Sequence, residues 1–169
     1  MAAKCVFLDR DGVINRERGD YTYKVEDFEI IKGVYEALKV LKSRGYLIIV
    51  ITNQAGISRE IFTRKDVEEC HRYMQKKLDY MIDDIFYCPY HPDQTASLCR
   101  KPDSLMFERA IAKYHIDHSA SWMAGDKERD LIPAKKTGIK TIFINNDRES
   151  DYADYYTPDL ITAVNEIIK

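Results

Sequence analysis

Short apolar runs alternate with amphipathic stretches along the whole chain. Cys5 to Leu8, Tyr46 to Ile51, Ile85 to Tyr87, Ser121 to Ala124 and Lys140 to Ile144 are mostly uninterrupted apolar segments too short for helices. Strands buried on both faces of a parallel sheet read this way. Between them the period changes. Val34, Leu38 and Leu41 share one face of a stretch that Gly45 is placed to end, which predicts a helix over 33–45. Thr63 can cap a second helix, with Asp66 closing an aspartate form of the capping box, and Val67, Cys70, Met74, Leu78 and Met81 then recur at three- and four-residue steps. Further helices are predicted over Ser104 to Tyr114, from about Arg129 to Gly138, and over Asp159 to Ile168. Residues 13–32, 88–103 and 145–158 keep no period and read as loops.

Strand alternating with helix argues an α/β fold with a central parallel sheet and helices on both faces. No repeat, low-complexity tract or second core interrupts the pattern, so one domain over residues 1–169 is expected. Composition leaves this picture standing: 45% hydrophobic and 32% charged residues describe an ordinary globule, long enough to bury a core. A formal charge of -2 without a basic stripe argues against a nucleic-acid partner. No apolar run approaches a membrane span, and the start Met1-Ala2-Ala3-Lys4 lacks a signal-peptide core. A cytoplasmic monomer is therefore expected, with all four cysteines reduced and no disulfide.

Three polar clusters each follow a predicted strand: Asp9 and Asp11 before Gly12, Thr52 and Asn53, and Gly125 with Asp126. A fourth, Arg100 and Lys101, precedes a predicted helix. Strand carboxyl ends of a parallel sheet share one edge, so these clusters are expected to converge there. Asp9 and Asp11 taken alone fit a solvated Asp-Gly turn almost as well as a site. The repetition at one end of successive strands is what favours a site. Carboxylates at that spacing repel unless a cation or proton holds them. The inventory of carboxylates, one hydroxyl, an amide and a lysine suits phosphoryl transfer, with a hard oxygen-liganded Mg²⁺.

The runs Phe7-Leu8-Asp9-Arg10-Asp11-Gly12-Val13-Ile14-Asn15, Thr52-Asn53-Gln54-Ala55-Gly56-Ile57-Ser58-Arg59, Cys99-Arg100-Lys101-Pro102 and Gly125-Asp126 resemble the four motifs of haloacid dehalogenase-superfamily phosphatases. They look most like the branch of heptose 1,7-bisphosphate and histidinol-phosphate phosphatases, and the likeness covers nearly the whole chain. It implies a Rossmann-like three-layer sandwich. It implies that Asp9 is the nucleophile forming an aspartyl-phosphate and that Asp11 is the general acid and base. Thr52 and Asn53 would bind phosphoryl oxygens, and Lys101 would hold Asp9 and the transferring group. Asp9, Asp126 and the main-chain carbonyl of Asp11 would bind Mg²⁺, with Asp130 supporting.

About forty residues separate Asp9 from Thr52 and about fifty separate Thr52 from Lys101, mostly consumed by the expected helices. The fold should therefore be capless, with loops recognising the substrate. Asn15, Arg59 and Arg100 are the candidate contacts to its far end, although a solvated surface arginine accounts for Arg59 about equally well. The resembling branch usually carries a zinc loop, Cys-x-His followed by Cys-x-Cys. Here Tyr90 and Ser97 occupy two ligand places, leaving Cys88, His91 and Cys99. A structural zinc wants four ligands, so zinc is the weaker expectation. Cys5 and Cys70 read as core thiols. The expected substrate is a small phosphorylated sugar, a heptose 1,7-bisphosphate cleaved at C7. Histidinol phosphate is the alternative within the class, with Tyr21 and Tyr23 suited to its imidazole. An inactive binding module on the same fold is the alternative outside it.

Overall fold

The computed structural model describes residues 2–144 and 148–169. Six strands, β1 (Cys5–Leu8), β2 (Leu47–Asn53), β3 (Asp84–Cys88), β4 (Trp122–Gly125), β5 (Lys140–Ile144) and β6 (Tyr155–Thr157), form one sheet in the order β3-β2-β1-β4-β5-β6. Every neighbouring pair is parallel. The helices are α1 (Val34–Ser43), α2 (Arg64–Lys77), α3 (Leu105–Tyr114), α4 (Glu128–Lys136) and α5 (Leu160–Glu166).

Alternation along the strands divides the core in two. Val6, Leu8, Ile48, Val50, Ala124 and Ile142 face one way, onto Leu38 and Leu41 of α1, Cys70 and Met74 of α2, and Ala163 and Val164 of α5. Cys5, Phe7, Ile49, Ile51 and Met123 face the other way, onto Met106, Phe107 and Ala110 of α3 and Leu131 and Ala134 of α4. This is the expected three-layer sandwich. The chain winds outward from β1 through β2 to β3, then restarts at β4 on the opposite side of β1. Strand order thus reverses between β1 and β4, and a crevice opens outside their carboxyl ends.

The capping box of α2 is present: Thr63 Oγ1 accepts from the Asp66 amide, and Asp66 Oδ2 accepts from the Thr63 amide at 2.7 Å. β2 extends past Ile51, so Thr52 and Asn53 are its last residues. Within the stretch expected as a loop over 145–158, residues 145–147 lie outside the described part. Tyr155–Thr157 instead form an edge strand. It escapes the apolar pattern because Tyr155 and Tyr156 face solvent.

The expectation of four reduced cysteines is overturned. Cys88, at the end of β3, is bonded to Cys99 across a sequence separation of 11, while Cys5 and Cys70 are free and buried as expected. The cause is topological: the loop after β3 folds back and brings its two ends side by side, with Cα atoms 5.5 Å apart. No helix among the described residues is long and apolar enough to cross a membrane.

Candidate active site

β1 delivers Asp9 directly to the crevice, where the backbone amide of Asp9 still donates to the Ala124 carbonyl of β4 at 3.1 Å. The turn that follows depends on Gly12, whose φ is +88°. A Cβ there would stand 2.3 Å from Asp126 Oδ2. Gly125 is constrained in the same way, since a Cβ would lie 2.4 Å from Cβ of Asp130. The two glycines let three carboxylates approach. Asp9, Asp126 and Asp130 are all buried and each offers an oxygen within 4.8 Å of the others.

One cation is built into this group. Lys101, 1% exposed, donates from Nζ to the Ile51 carbonyl at 2.7 Å and makes ion pairs with Asp9 Oδ1 at 2.9 Å and Asp130 Oδ1 at 2.7 Å. Burial lowers the lysine's affinity for its proton, but Asp130 and Asp9 more than offset that and push its pKa up. The Asp9 carboxyl is also driven up from its usual range, to about 6, by burial first and Asp130 second, against the pull of Lys101. Burial and Asp9 likewise raise Asp126, which Lys127 partly relieves with Nζ 2.7 Å from Asp126 Oδ2. The one buried lysine bridges Asp9 and Asp130, and Asp126 is met from the surface by Lys127. This all-oxygen donor set fits a hard divalent cation such as Mg²⁺.

Asp11 turns away from that cluster. Its Oδ1 accepts from Arg10 Nη2 at 3.0 Å and Asn15 Nδ2 at 2.9 Å, and its Oδ2 accepts from Gln54 Nε2 at 3.2 Å. Burial alone would raise its pKa. The Arg10 guanidinium and the hydrogen bonds from Asn15, Arg10 and Gln54 outweigh burial and hold the carboxyl below the ordinary value.

The remaining expected residues are distributed unevenly. Thr52 is buried beside the carboxylates, with Oγ1 accepting from Gln54 Nε2 at 3.1 Å. Asn53 lines the cavity, but its amide is engaged by the Lys101 backbone in both directions at 3.1 Å. It therefore fixes Lys101 in place. Asn15, expected at the substrate, is fully buried beneath Asp11. The Gly12 turn folds the chain back, with the Gly12 amide donating to the Asn15 carbonyl at 2.8 Å, and that tucks the side chain inward. Arg59 Nη1 is 3.5 Å from the hydroxyl of Tyr21, and Arg100 donates to the Tyr90 carbonyl at 3.2 Å, but neither arginine lines the cavity beside Asp11.

The three zinc candidates do not form one ligand set. The Cys88 and Cys99 sulfurs are spent on each other, and His91 Nδ1 accepts from the Asp93 amide at 3.2 Å. Sequence reasoning also missed residues. A cavity of about 360 Å³ opens beside Asp11, lined by Tyr21, which the sequence had offered as a substrate contact, and by Glu17, Thr22, Gln54 and Arg129, which it had not. Gln54 could have been found from its place in the polar turn after β2. Nothing local distinguishes Arg129 from any exposed helical arginine.

Comparison with known proteins places this geometry. Residues 8–144 match the family model described as haloacid dehalogenase-like hydrolase. The chain is 41% identical over 150 residues to a D-glycero-beta-D-manno-heptose-1,7-bisphosphate 7-phosphatase of Haemophilus ducreyi, covering 83% of this chain and 82% of that protein. It is 36% identical over 185 aligned positions to a D-glycero-D-manno-heptose-1,7-bisphosphate 7-phosphatase of Chlorobaculum tepidum, covering 96% and 93%. A crystal structure of a D,D-heptose 1,7-bisphosphate phosphatase from B. bronchiseptica, complexed with magnesium and phosphate, superposes with a TM-score of 0.89 at 25% identity, covering 98% of both chains. With its strand order, its clustered carboxylates and a family match running from the end of β1 to the end of β5, the chain belongs to the haloacid dehalogenase-like hydrolases.

Proposed function

We propose that this protein is a Mg²⁺-dependent phosphatase that hydrolyses D-glycero-D-manno-heptose 1,7-bisphosphate at C7 through an aspartyl-phosphate. The observation that carries the reading is the opposed pair of environments on Asp9 and Asp11, two residues apart at the mouth of one crevice. Asp9 sits among Lys101, Asp126 and Asp130, and Asp11 faces the cavity. Substrate preference rests on the two curated relatives at 41% and 36% identity, named as 7-phosphatases.

Asp9 Oδ1 is held by Lys101 and by the Arg10 amide at 2.8 Å, which leaves Oδ2 as the oxygen outside these bonds. That carboxylate attacks phosphorus, and the bond from phosphorus to the C7 oxygen breaks. Asp11 protonates the departing alkoxide. The same residue, now ionised, takes a proton from water, which attacks the acyl phosphate, releases inorganic phosphate and restores Asp9. Asp11 is ionised in the resting site, so its first role requires a proton taken up as the phosphate dianion arrives. A like charge beside it raises its pKa in that direction. Thr52 donates its hydroxyl to a phosphoryl oxygen and Lys101 balances the developing charge. Asp9, Asp126 and the Asp11 main-chain carbonyl, with Asp130 behind them, would hold Mg²⁺, which supplies charge neutralisation for the phosphoryl oxygens. Among the described residues no cap covers the crevice, so water has access and hydrolysis is favoured over transfer to a second sugar. Arg59, Arg100 and Arg129 are the cationic groups available to the far phosphate.

The test is phosphate release from purified protein with Mg²⁺, comparing both anomers of the heptose 1,7-bisphosphate with histidinol phosphate. Faster turnover of the bisphosphate supports the reading. Preference for histidinol phosphate would replace the substrate, and inactivity on every ester would remove the enzyme.

A further inference from the structure

Arg10 is the largest fully buried side chain among the described residues, and none of the phosphoryl-transfer steps above uses its guanidinium. Nη2 donates to Asp11 Oδ1 at 3.0 Å and to the Thr22 carbonyl at 2.7 Å. Nη1 lies 3.4 Å from His71 Nε2, and the plane rests 5.5 Å from the Phe28 ring centroid. One side chain therefore joins three elements: the turn after β1, the loop over 16–23 that lines the cavity, and helix α2.

His71 is an unusual anchor for a cation. It projects inward from the core face of α2, is 7% exposed, and packs edge-on against Tyr87 with ring centroids 5.8 Å apart. Burial, and then the Arg10 charge, push its pKa down to about 3, so the ring is neutral at any working pH. A guanidinium can only donate, so Nε2 must accept and the ring proton sits on Nδ1. At its outer end the loop is buttressed separately: Tyr23 stacks on Phe62 at 5.0 Å and Tyr21 meets the same ring edge-on at 5.4 Å. Inside, Arg10 ties the loop to Asp11 at Thr22, while Asn15 Nδ2 makes a second tie at the loop's start, donating to Asp11 Oδ1 at 2.9 Å and to the Arg16 carbonyl at 3.3 Å.

We propose that His71 and Arg10 form a strut that positions the substrate-recognition loop: His71 fixes the guanidinium, and Arg10 ties the Thr22 carbonyl to the Asp11 carboxylate. His71 is a positioning residue and touches no substrate. The device sets how well residues 16–23 receive the sugar, and it rests on the sugar-phosphate reading only for the kinetic half of its test.

The experiment compares His71→Leu, which keeps apolar packing and removes the acceptor, with His71→Gln, whose amide oxygen can restore it. Amide hydrogen exchange is expected to rise about tenfold over residues 16–23 in His71→Leu and to stay unchanged in β1, β2 and β4. KM for the heptose bisphosphate should rise about tenfold with kcat within about threefold, while hydrolysis of p-nitrophenyl phosphate, too small to use the loop, changes less than about twofold. His71→Gln should recover most of both. Equal losses on the two esters with unaltered loop exchange would overturn the strut, as would no change in either. If His71→Leu does not fold, Arg10→Lys, which keeps the charge but lacks the fork, must raise loop exchange in the same way or the proposal fails. Inactivity of the unmutated protein toward the bisphosphate would remove the substrate reading and leave the exchange result to decide the strut.

Discussion

Asp9 and Asp11 are separated by one residue and live in opposite electrostatic worlds. Around Asp9, the buried carboxylates of Asp126 and Asp130 crowd in, Lys101 bridges Asp9 to Asp130 alone, and the Asp9 pKa climbs to about 6. Around Asp11, a guanidinium and two amides supply every hydrogen bond, and the pKa falls. The Asp9 side gathers three carboxylates that could hold a cation; the Asp11 carboxylate is bonded within the polypeptide. In the proposed mechanism, environment rather than residue type separates the nucleophile from the acid and base.

The comparison is broken most severely by Asp9→Asn. It removes the attacking oxygen and should lower phosphate release by at least ~10⁴-fold, with an unchanged circular dichroism spectrum, because it also removes a charge from the crowded cluster. Retained activity would end the nucleophile assignment. Chelation with EDTA comes next. Activity should fall by at least ~10²-fold and return with Mg²⁺, because the Asp9 side depends on the cation that the Asp11 side does without. Gly12→Ala tests the wall between the two. Its Cβ would meet Asp126 Oδ2 at 2.3 Å, at a φ that disfavours side chains. A loss of activity of about 10–100-fold is expected, with the midpoint of thermal unfolding reduced.

Asn15→Ala sharpens the other side. It deletes one donor to Asp11 and should lower kcat about tenfold with KM nearly unchanged, whereas a substrate-contacting Asn15 would raise KM. The smallest effect is read in stability against pH. A carboxyl whose folded pKa lies above its unfolded value binds more protons when folded, so its contribution is full below the unfolded pKa. It is lost as pH rises through the folded pKa. Without metal, the difference in stability between the unmutated protein and Asp9→Asn should therefore grow unfavourable from pH about 4 to about 6, and saturating Mg²⁺ should flatten that slope.

Much of the site was visible along the chain. Asp9, Thr52 and Asp126 each follow an apolar run, and a parallel sheet leaves only one edge where such endings can meet. The strands, the α2 cap and the stripe through Cys70 and Met74 were legible because burial enforces local periodicity. Asn15, Arg10 and the Cys88–Cys99 bond were not. Asn15 is polar and sits in a loop, which reads as exposed, yet a left-handed glycine three residues earlier turns it under Asp11. Arg10 reads as a surface residue until its partners Thr22 and His71, far off in sequence, arrive beside it. β6 was lost because its two tyrosines face water and only Thr157 is buried.

By itself the sequence determined the alternation of strands and helices, and with it which side chains would gather at one rim, since hydrophobic period and strand direction are local properties. Tertiary structure decided which of those side chains face one another: which carboxylates crowd together, which is bonded by a guanidinium and two amides, and which cysteines meet. Charge interactions and hydrogen bonds act over a few ångströms of space, and distance along the chain does not fix that separation.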